Sequence, residues 1–288
     1  MTKQITEVTQ MTGGSEGISL LIDSWRNQIS QDQQYREFTQ NSIESVKRVQ
    51  KQNPEHKGII KWEVDEPYFN QCKVKKLCII DNGEGMTPQE MLENINTLGG
   101  STRNNEYYNH GCGAKIAGLA HNRAGIIYRS WKNGQGYMMK FMRNQMGRYG
   151  AVKMQGRNSF EISDEMKPSI IQNHGCVVTL LGDEEKEDTT LPSDKYGFLK
   201  GSRISKSEWL TCYLNTKFYS VPSNIKITAS RFSEDRNKIY HIKGHEYGLT
   251  YDFADRTDEV QLTKTKVKIF YREKAIKRQT QYMTNGQL

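Results

Sequence analysis

REFTQNSIES, residues 36–45, places three polar side chains along one face of a predicted helix. Glu37, Asn41 and Glu44 are spaced at i, i+4 and i+7, so helical geometry puts them in one row. Phe38 marks the packed side of the same helix. Taken alone, such a polar row is more often a solvated helix face than a catalytic one, so its meaning depends on the motifs that follow.

A second motif, IIDNGEGMT, spans residues 79–87. An apolar strand pattern leads directly into Asp81, and Gly83 and Gly85 leave room for a ligand to approach the backbone. A carboxylate at the end of a buried strand can accept a hydrogen bond from an exocyclic amine such as that of adenine, and Met86 could contact the ring. The plain alternative is an Asn-Gly turn between a strand and a helix.

A third motif, NHGCGAKIAG, spans residues 109–118. Gly111 and Gly113 precede Lys115 at the start of a predicted helix, where backbone N–H groups and the positive helix end favour an anion. Lys115 adds a point charge for phosphate. Glycines at helix starts are also common without any ligand, so this motif is weak by itself.

In this order, the three motifs resemble the N-box and the two glycine boxes of the GHKL ATPases, the superfamily of gyrase, the heat-shock chaperone, histidine kinases and MutL. HGCVVTLLGD (174–183) resembles the family's fourth signature, with Cys176 where the family has threonine, which affects one hydrogen bond near the adenine. The resemblance covers about residues 18–182, with looser similarity to about 225. It implies an α/β fold, a two-layer sandwich of a mixed β-sheet covered by helices (Bergerat-type), followed by a small, mainly β segment.

The resemblance also implies roles for individual residues. Glu37 is then the general base that activates the attacking water, and Asn41 supplies an oxygen to Mg²⁺ at the phosphates. Glu44 lies one turn further along, where many relatives have aspartate, and is expected just behind these groups. Asp81 reads the adenine amine.

The remaining nucleotide contacts implied by the resemblance fall into three groups. The base pocket involves Gly83, Gly85, Met86 and Cys176. The phosphates are held by Gly111, Cys112, Gly113, Ala114 and Lys115. The segment 98–109 resembles the ATP lid, a loop that closes over the nucleotide, with expected contacts from Gly99, Gly100, Ser101 and Thr102.

The chain is predicted to have three parts. Residues 1–17 are expected to form a flexible arm, or one exchanged between subunits, and 18–225 the ATP-binding domain. Residues 226–288 read as a strand-rich extension, the start of a transducer-like second domain. Within the ATP-binding domain, helices are predicted at 32–49 and 206–219, and a strand at 175–181. The charge run DEEKED (183–188) follows this strand and is expected to be a solvated turn.

Composition favours an intracellular protein, cytoplasmic or, in a eukaryote, nuclear. No run of residues approaches the length of a membrane span, and the start of the chain has no secretory apolar segment. The five cysteines form no CxxC pair and no metal-ligand rhythm with the six histidines, so neither a disulfide nor a zinc site is expected.

The net charge of +8 permits contact with nucleic acid, although the lysines and arginines are spread along the chain instead of forming runs. Subfamilies with GxGxK followed by small residues, the type VI topoisomerase B subunit and the MORC ATPases, act on DNA or chromatin. DNA, or a DNA-acting partner subunit, is therefore an expected partner.

Three functions remain open from the sequence. The favoured one is an ATPase switch, in which ATP orders the lid, drives homodimerisation and is then hydrolysed. A histidine kinase is a second reading, but kinases usually lack the glutamate four residues before the metal-binding asparagine. An ATP-gated binding module without turnover is the third. Some relatives complete the site with a lysine from a following domain. The segment LTKTK (262–266) resembles the sequence around that lysine, and we interpret it as a chance match.

Overall fold

The computed structural model describes residues 6–11, 17–97, 113–192, 208–230, 232, 238–261 and 265–272. The helices in these parts of the chain are α1 (Ile18–Trp25), α2 (Gln33–Gln52), α3 (Glu66–Cys72), α4 (Pro88–Ile95), α5 (Gly113–Ala120), α6 (Trp209–Lys217) and α7 (His245–Tyr247). The strands are β1 (Val8–Gln10), β2 (Gly58–Val64), β3 (Leu77–Asp81), β4 (Ile126–Lys132), β5 (Gln135–Arg143), β6 (Tyr149–Val152), β7 (Phe160–Glu161), β8 (Gly175–Leu180), β9 (Ile225–Ser230), β10 (Ile239–Ile242), β11 (Arg256–Gln261) and β12 (Lys266–Tyr271). A 3₁₀ turn, Asp164–Met166, and a π-helix, Gly248–Phe253, complete the described elements.

The predicted α/β sandwich with a mixed sheet is confirmed. Within the described residues, ten strands form one sheet in the order β1-β6-β5-β4-β8-β3-β2-β9-β10, with β7 paired to β5. The β2–β9 pair is parallel and the other pairs are antiparallel. Strands β11 and β12 form a separate antiparallel pair.

The two faces of the sheet carry different cores. Alternate residues of the central strands, such as Ile60, Ile79 and Val178, share one apolar cluster with residues from α1, α2, α5 and α6. The intervening residues of the same strands, Cys78 and Val177 among them, belong to a smaller cluster that includes Trp131 and Ile171. The helices therefore cover one face, and the motifs of interest lie on that covered face.

Helix α2 is the central helix of this layer. Its predicted extent of 32–49 is confirmed, with one further turn before Asn53, whose extended backbone ends the helix. Trp62 of β2 donates its indole N–H to the Thr39 hydroxyl over 3.0 Å, and both side chains are fully buried. This buried hydrogen bond fixes α2 over the sheet, because the buried indole N–H left unpaired would cost roughly 1–3 kcal/mol.

Part of the predicted flexible arm is a strand. Residues 8–10 form β1, which pairs antiparallel with β6 at the sheet edge, with Val8 opposite Val152. Residues 1–5 and 12–16 lie outside the described residues. The prediction of a flexible arm does not hold for β1, because its backbone groups are hydrogen-bonded into the chain's own sheet.

The sheet also continues across the predicted domain boundary after residue 225. Strand β9 begins at Ile225, which lies opposite Gly58 in the parallel β2–β9 pair. Strand β10 then extends the same sheet as far as Ile242. Only the β11–β12 pair stands apart from this sheet among the described strands of the predicted extension.

The charge run at 183–188 is more than a solvated turn, so that prediction needs correction. Lys76 is completely buried, and its ammonium donates hydrogen bonds to the carbonyls of Leu181, Glu184 and Glu187. Asp183 pairs with Arg26 at the end of α1. A buried ammonium requires such partners, so the backbone of this turn is fixed by the lysine beneath it, even though Glu184 to Lys186 are exposed.

No helix among the described residues is both long and apolar enough to cross a membrane. Four of the five cysteines lie in the described residues and carry free thiols, namely Cys72, Cys78, Cys176 and Cys212.

Candidate functional site

The three polar residues of the row on α2 differ in burial. Glu37 is only 9% exposed, whereas Asn41, one turn later, is exposed. Glu44 is half-buried and accepts a hydrogen bond of 2.9 Å from the Gln40 side chain. The row therefore runs from a carboxylate inside the protein to an amide that is open to a ligand.

Glu37 faces the start of α5. A Cβ atom added to Gly113 would lie 2.3 Å from Glu37 Oε2, far inside van der Waals contact. Only glycine fits here, because the carboxylate occupies the space a side chain would need. The first and third sequence motifs thus meet at this point, through Glu37 and Gly113, which are 76 positions apart in the sequence.

The electrostatics of Glu37 are set by burial and by one neighbour. Burial raises the pKa of the Glu37 carboxyl above its usual value, while the adjacent Arg36 guanidinium and a hydrogen bond from Gln33 act in the opposite direction. The Arg36 guanidinium contacts the Glu37 carboxylate directly. Since a general base needs a proton affinity above that of an ordinary surface carboxylate, this environment suits proton abstraction.

Asp81 is held at the end of β3 by two donors. The Ser42 hydroxyl donates to Oδ2 over 2.8 Å, and the Gly83 backbone N–H donates to Oδ1 over 2.9 Å. Burial raises the pKa of Asp81 to about 6, while these two hydrogen bonds favour the charged form and limit the shift. A buried carboxylate with spare acceptor lone pairs can receive a further donor from a ligand.

The turn after Asp81 needs both of its glycines. A Cβ at Gly83 would lie 2.1 Å from Ser45 Oγ, and a Cβ at Gly85 would lie 1.9 Å from the Trp131 carbonyl oxygen. Gly85 also has a φ of +62°, a conformation that favours glycine. The Glu84 N–H donates to Ser45 Oγ over 3.1 Å. The turn is therefore packed against α2 and β4 instead of projecting freely.

Met86 is hydrogen-bonded to β4, and Cys176 lies beside Asp81 on β8. Met86 donates its N–H to the Ser130 hydroxyl over 2.7 Å, and Ser130 contacts the Gly175 carbonyl. Cys176 pairs in register with Asp81 in the β3–β8 ladder. Burial, with the nearby charge of Asp81, raises the pKa of the Cys176 thiol, so the thiol is neutral and can serve as a weak donor.

The phosphate side of the predicted site is only partly described. Gly113 is the first residue of α5 and is exposed, and Ala114 behind it is buried. Lys115 is buried, and its ammonium contacts the Thr97 carbonyl. The other predicted contacts lie outside the described residues: Gly99, Gly100, Ser101, Thr102, Gly111 and Cys112.

Sequence reasoning missed the serines that organise the site. Ser42 lies on the packed side of α2, between Phe38 and Val46, and is almost completely buried. A hydroxyl in an otherwise apolar helix row was the available signal, because a buried hydroxyl needs a partner. Ser130, fully buried in β4, gave no such signal, since its partner comes from a turn distant in sequence.

Comparison with known proteins agrees with these motifs. Residues 37–175 match the family model described as histidine kinase-, DNA gyrase B- and HSP90-like ATPase, which is just under half of the chain. This match supports the GHKL superfamily for the chain, and with it ATP binding in general. No curated protein matches the sequence.

The residues present fit a purine nucleotide with Mg²⁺. A glycine-lined turn lies beside a buried acceptor at Asp81, and the exposed Asn41 amide offers the oxygen that a hard cation prefers. Among the described residues, no cluster of His, Cys, Asp or Glu side chains could hold a metal ion by itself.

Proposed function

We propose that this chain hydrolyses ATP in a Mg²⁺-dependent reaction, with Glu37 as the general base. The observation that carries the proposal is the contact between the buried Glu37 carboxylate and Gly113, the first residue of α5. The N-terminus of an α-helix attracts anions because its N–H groups are unpaired and its dipole is positive there. A base beside a phosphate-binding helix end is positioned to act on a water molecule at the terminal phosphate.

Asp81 is the residue proposed to recognise the adenine base. Its carboxylate would accept a hydrogen bond from the adenine amino group, while Ser42 and Gly83 hold both carboxylate oxygens in place. Guanine presents a carbonyl oxygen at the same position, which Asp81 would repel. The proposed site therefore selects ATP over GTP.

Asn41 is the proposed protein ligand to Mg²⁺, and Gly113 and Lys115 the groups nearest the phosphates. When bound, Mg²⁺ would neutralise charge on the phosphates. Lys115 contacts the Thr97 carbonyl, next to the proposed lid at 98–109. We infer that phosphate binding competes for this ammonium and so links nucleotide binding to the lid.

A wider role is proposed for the ATP cycle. Three apolar side chains of α1 are exposed, with Leu20 at 75%, Leu21 at 40% and Trp25 at 39%, and such a surface favours pairing of two copies when ATP is bound. The positive net charge supports a DNA- or chromatin-directed machine of the kind to which the type VI topoisomerase B subunit and the MORC ATPases belong.

An ATP-gated binding module is the second candidate. Its support is that Glu37 and Lys115 are each engaged inside the protein, by Arg36 and by the Thr97 carbonyl. A chain that bound ATP without releasing these contacts would not turn it over. The histidine-kinase reading is weaker, because the buried glutamate favours water as the nucleophile.

The test compares two isosteric variants. Glu37→Gln removes the base and keeps its shape, and Glu55→Gln makes the same change at an exposed position just after α2. We expect steady-state hydrolysis with Mg²⁺ to fall roughly 10²- to 10⁴-fold for Glu37→Gln, with ATP affinity nearly unchanged, and to remain near native for Glu55→Gln. Equal turnover in native and Glu37→Gln chains would contradict the assigned base. Tight binding without turnover in the native chain would favour the gated binder.

A further inference from the structure

A cavity of about 470 Å³ lies outside the residues that match the family model. It opens between the end of α6, the end of β10 and α7. The residues that matter for its chemistry are Asn215, His241, Lys243, His245 and Tyr247. The cavity is separate from the proposed ATP site. Asp81 of the ATP site and Ile242, at the end of β10 beside the cavity, lie in one row across the sheet, with β2 and β9 between their strands. Three strand spacings put these two residues about 14 Å apart.

The charge of the cavity is one-sided. Among its lining residues, which all belong to the described part of the chain, there is no aspartate or glutamate, whereas a lysine and two histidines are present. The nearest acidic side chain along the chain, Glu246, forms an ion pair of 2.6 Å with Lys268. A cavity of this composition favours an anionic ligand.

Two tyrosines beside the cavity are exposed to solvent. Tyr247 is 39% and Tyr251 71% exposed, and their rings lie 4.7 Å apart at an interplanar angle of 41°. The Lys243 ammonium lies 3.8 Å from the centre of the Tyr247 ring. Lys238 similarly lies 5.6 Å from the Tyr240 ring on β10. Cations interleaved with exposed aromatic rings are the pattern of surfaces that hold a phosphate backbone and stack its bases.

The backbone around the cavity is fixed in advance. Asn215 Oδ1 accepts hydrogen bonds of 2.9 Å from the N–H groups of both Lys243 and Gly244. Gly244 has a φ of +87°, and a Cβ there would lie 2.6 Å from the Tyr219 carbonyl oxygen, so this position requires glycine. A π-helix, Gly248–Phe253, follows directly and carries Tyr251; such helices are frequent at functional sites.

We propose that this surface binds single-stranded nucleic acid. Lys243, with His241 and His245, contacts the phosphate backbone, and Tyr247 and Tyr251 stack against unpaired bases. Single strands fit better than a duplex, because stacking on these rings requires bases whose faces are open. The inference rests on the proposed function, because it assigns a surface to the nucleic-acid role proposed there. The binding itself requires no ATP turnover.

The experiment measures fluorescence anisotropy of a labelled oligothymidine of about 12 nucleotides, without ATP, over a series of salt concentrations. Tyr251→Ala removes a ring that is largely in solvent and so leaves the fold intact; we expect affinity to fall roughly 5- to 100-fold. Lys243→Ala should weaken binding and flatten the dependence of log Kd on log salt concentration by about 0.7. Tyr247→Phe keeps the ring and should bind as the native chain does.

The matched control is Lys186→Ala, which removes the same charge from an exposed lysine at the opposite end of the sheet, in the turn held by Lys76. Unchanged affinity in this control, with losses in Tyr251→Ala and Lys243→Ala, would support the proposal. Equal losses in all three, or equal affinity for a duplex of the same length, would show charge attraction alone and overturn it, as would no binding by the native chain. The same titration with Glu37→Gln distinguishes failure of this binding proposal from failure of the proposed ATPase. This variant removes the proposed catalytic base and leaves the surface intact, so it should bind the oligonucleotide as the native chain does.

Discussion

The base end and the phosphate end of the proposed ATP site are built differently. At the base end, Asp81 is 4% exposed, and each of its carboxylate oxygens accepts a hydrogen bond from the protein, one from α2 and one from its own turn. At the phosphate end, Asn41 is exposed, while Glu37 and Lys115 are occupied by Arg36 and by the Thr97 carbonyl.

This difference suggests that recognition of the base and hydrolysis of the phosphate depend on separate groups of residues. The base end is preorganised, so adenine can be read without rearranging the protein. The charged groups at the phosphate end already have partners within the protein, Glu37 in Arg36 and Lys115 in the Thr97 carbonyl, and a ligand must compete for them. We infer that binding specificity is set at Asp81, whereas turnover is set by how Glu37 and Lys115 are released, and each prediction below acts on one end only.

Of Gly113→Ala, Asp81→Asn and Ser42→Ala, the largest effect is expected from Gly113→Ala at the phosphate end. The new Cβ would lie 2.3 Å from Glu37 Oε2 and 2.8 Å from its Cδ, so the carboxylate must move. Because misplacing a reacting group by about 1 Å can cost roughly 100-fold in rate, hydrolysis at saturating ATP should fall by about that factor. Alanine is favourable in a helix, so the fold should persist. Native turnover in this variant would show that Glu37 is not held where the account requires it.

At the base end, Asp81→Asn should stabilise the protein while weakening ATP binding. Burial raises the folded-state pKa of Asp81 to about 6, above its value in the unfolded chain, so the charged form destabilises the fold and stability falls as the pH rises through about 6. Removing the charge should therefore increase the free energy of unfolding by about 1–2 kcal/mol at about pH 7.5.

The measurement is urea unfolding of both proteins at about pH 7.5 and about pH 5. The difference should shrink at the lower pH, where the native carboxyl is already largely protonated. A native chain that is the more stable one at the higher pH would mean that the Ser42 and Gly83 hydrogen bonds outweigh the burial of the charge.

The smallest effect is expected from Ser42→Ala. Loss of one hydrogen bond to a charged group should weaken ATP binding about 3- to 10-fold. It should also raise the pKa of Asp81 further, because the Ser42 hydroxyl favours the charged form, so the loss of ATP affinity on acidification should begin at a higher pH. Binding titrations across pH measure both effects. Ser24→Ala, an exposed serine on α1, is the control, and an equal change there would rule out a specific role for Ser42.

The sequence predicted the strongly patterned parts of this structure well. Helix α2 follows the helical pattern predicted for 32–49. Strand β2 alternates buried and half-buried residues along its length. Helix α4 begins with a capping box, in which Thr87 accepts from the Glu90 N–H and Glu90 accepts from the Thr87 N–H. Gly83 and Gly85 were interpreted as leaving room for a ligand, and in the structure each is required by a close contact within the protein, with Ser45 and with the Trp131 carbonyl.

The parts that sequence reasoning missed depend on contacts between distant residues. Strand β1 is three residues long and has no strand pattern of its own, since pairing with β6 creates it. The Lys76 contacts with the 181–187 turn bring together residues more than 100 positions apart. The roles of Ser42 and Ser130 likewise follow from tertiary packing, because a serine alone carries no information about its partner.

The most direct test of the central claim is a calorimetric titration of the native chain and of Asp81→Asn with ATP and with GTP. We expect the native chain to bind ATP at least about 100-fold more tightly than GTP, and Asp81→Asn to lose this preference while remaining folded. Equal affinity of the native chain for the two nucleotides, or a preference that survives in Asp81→Asn, would contradict the assignment of Asp81 as the residue that reads the base.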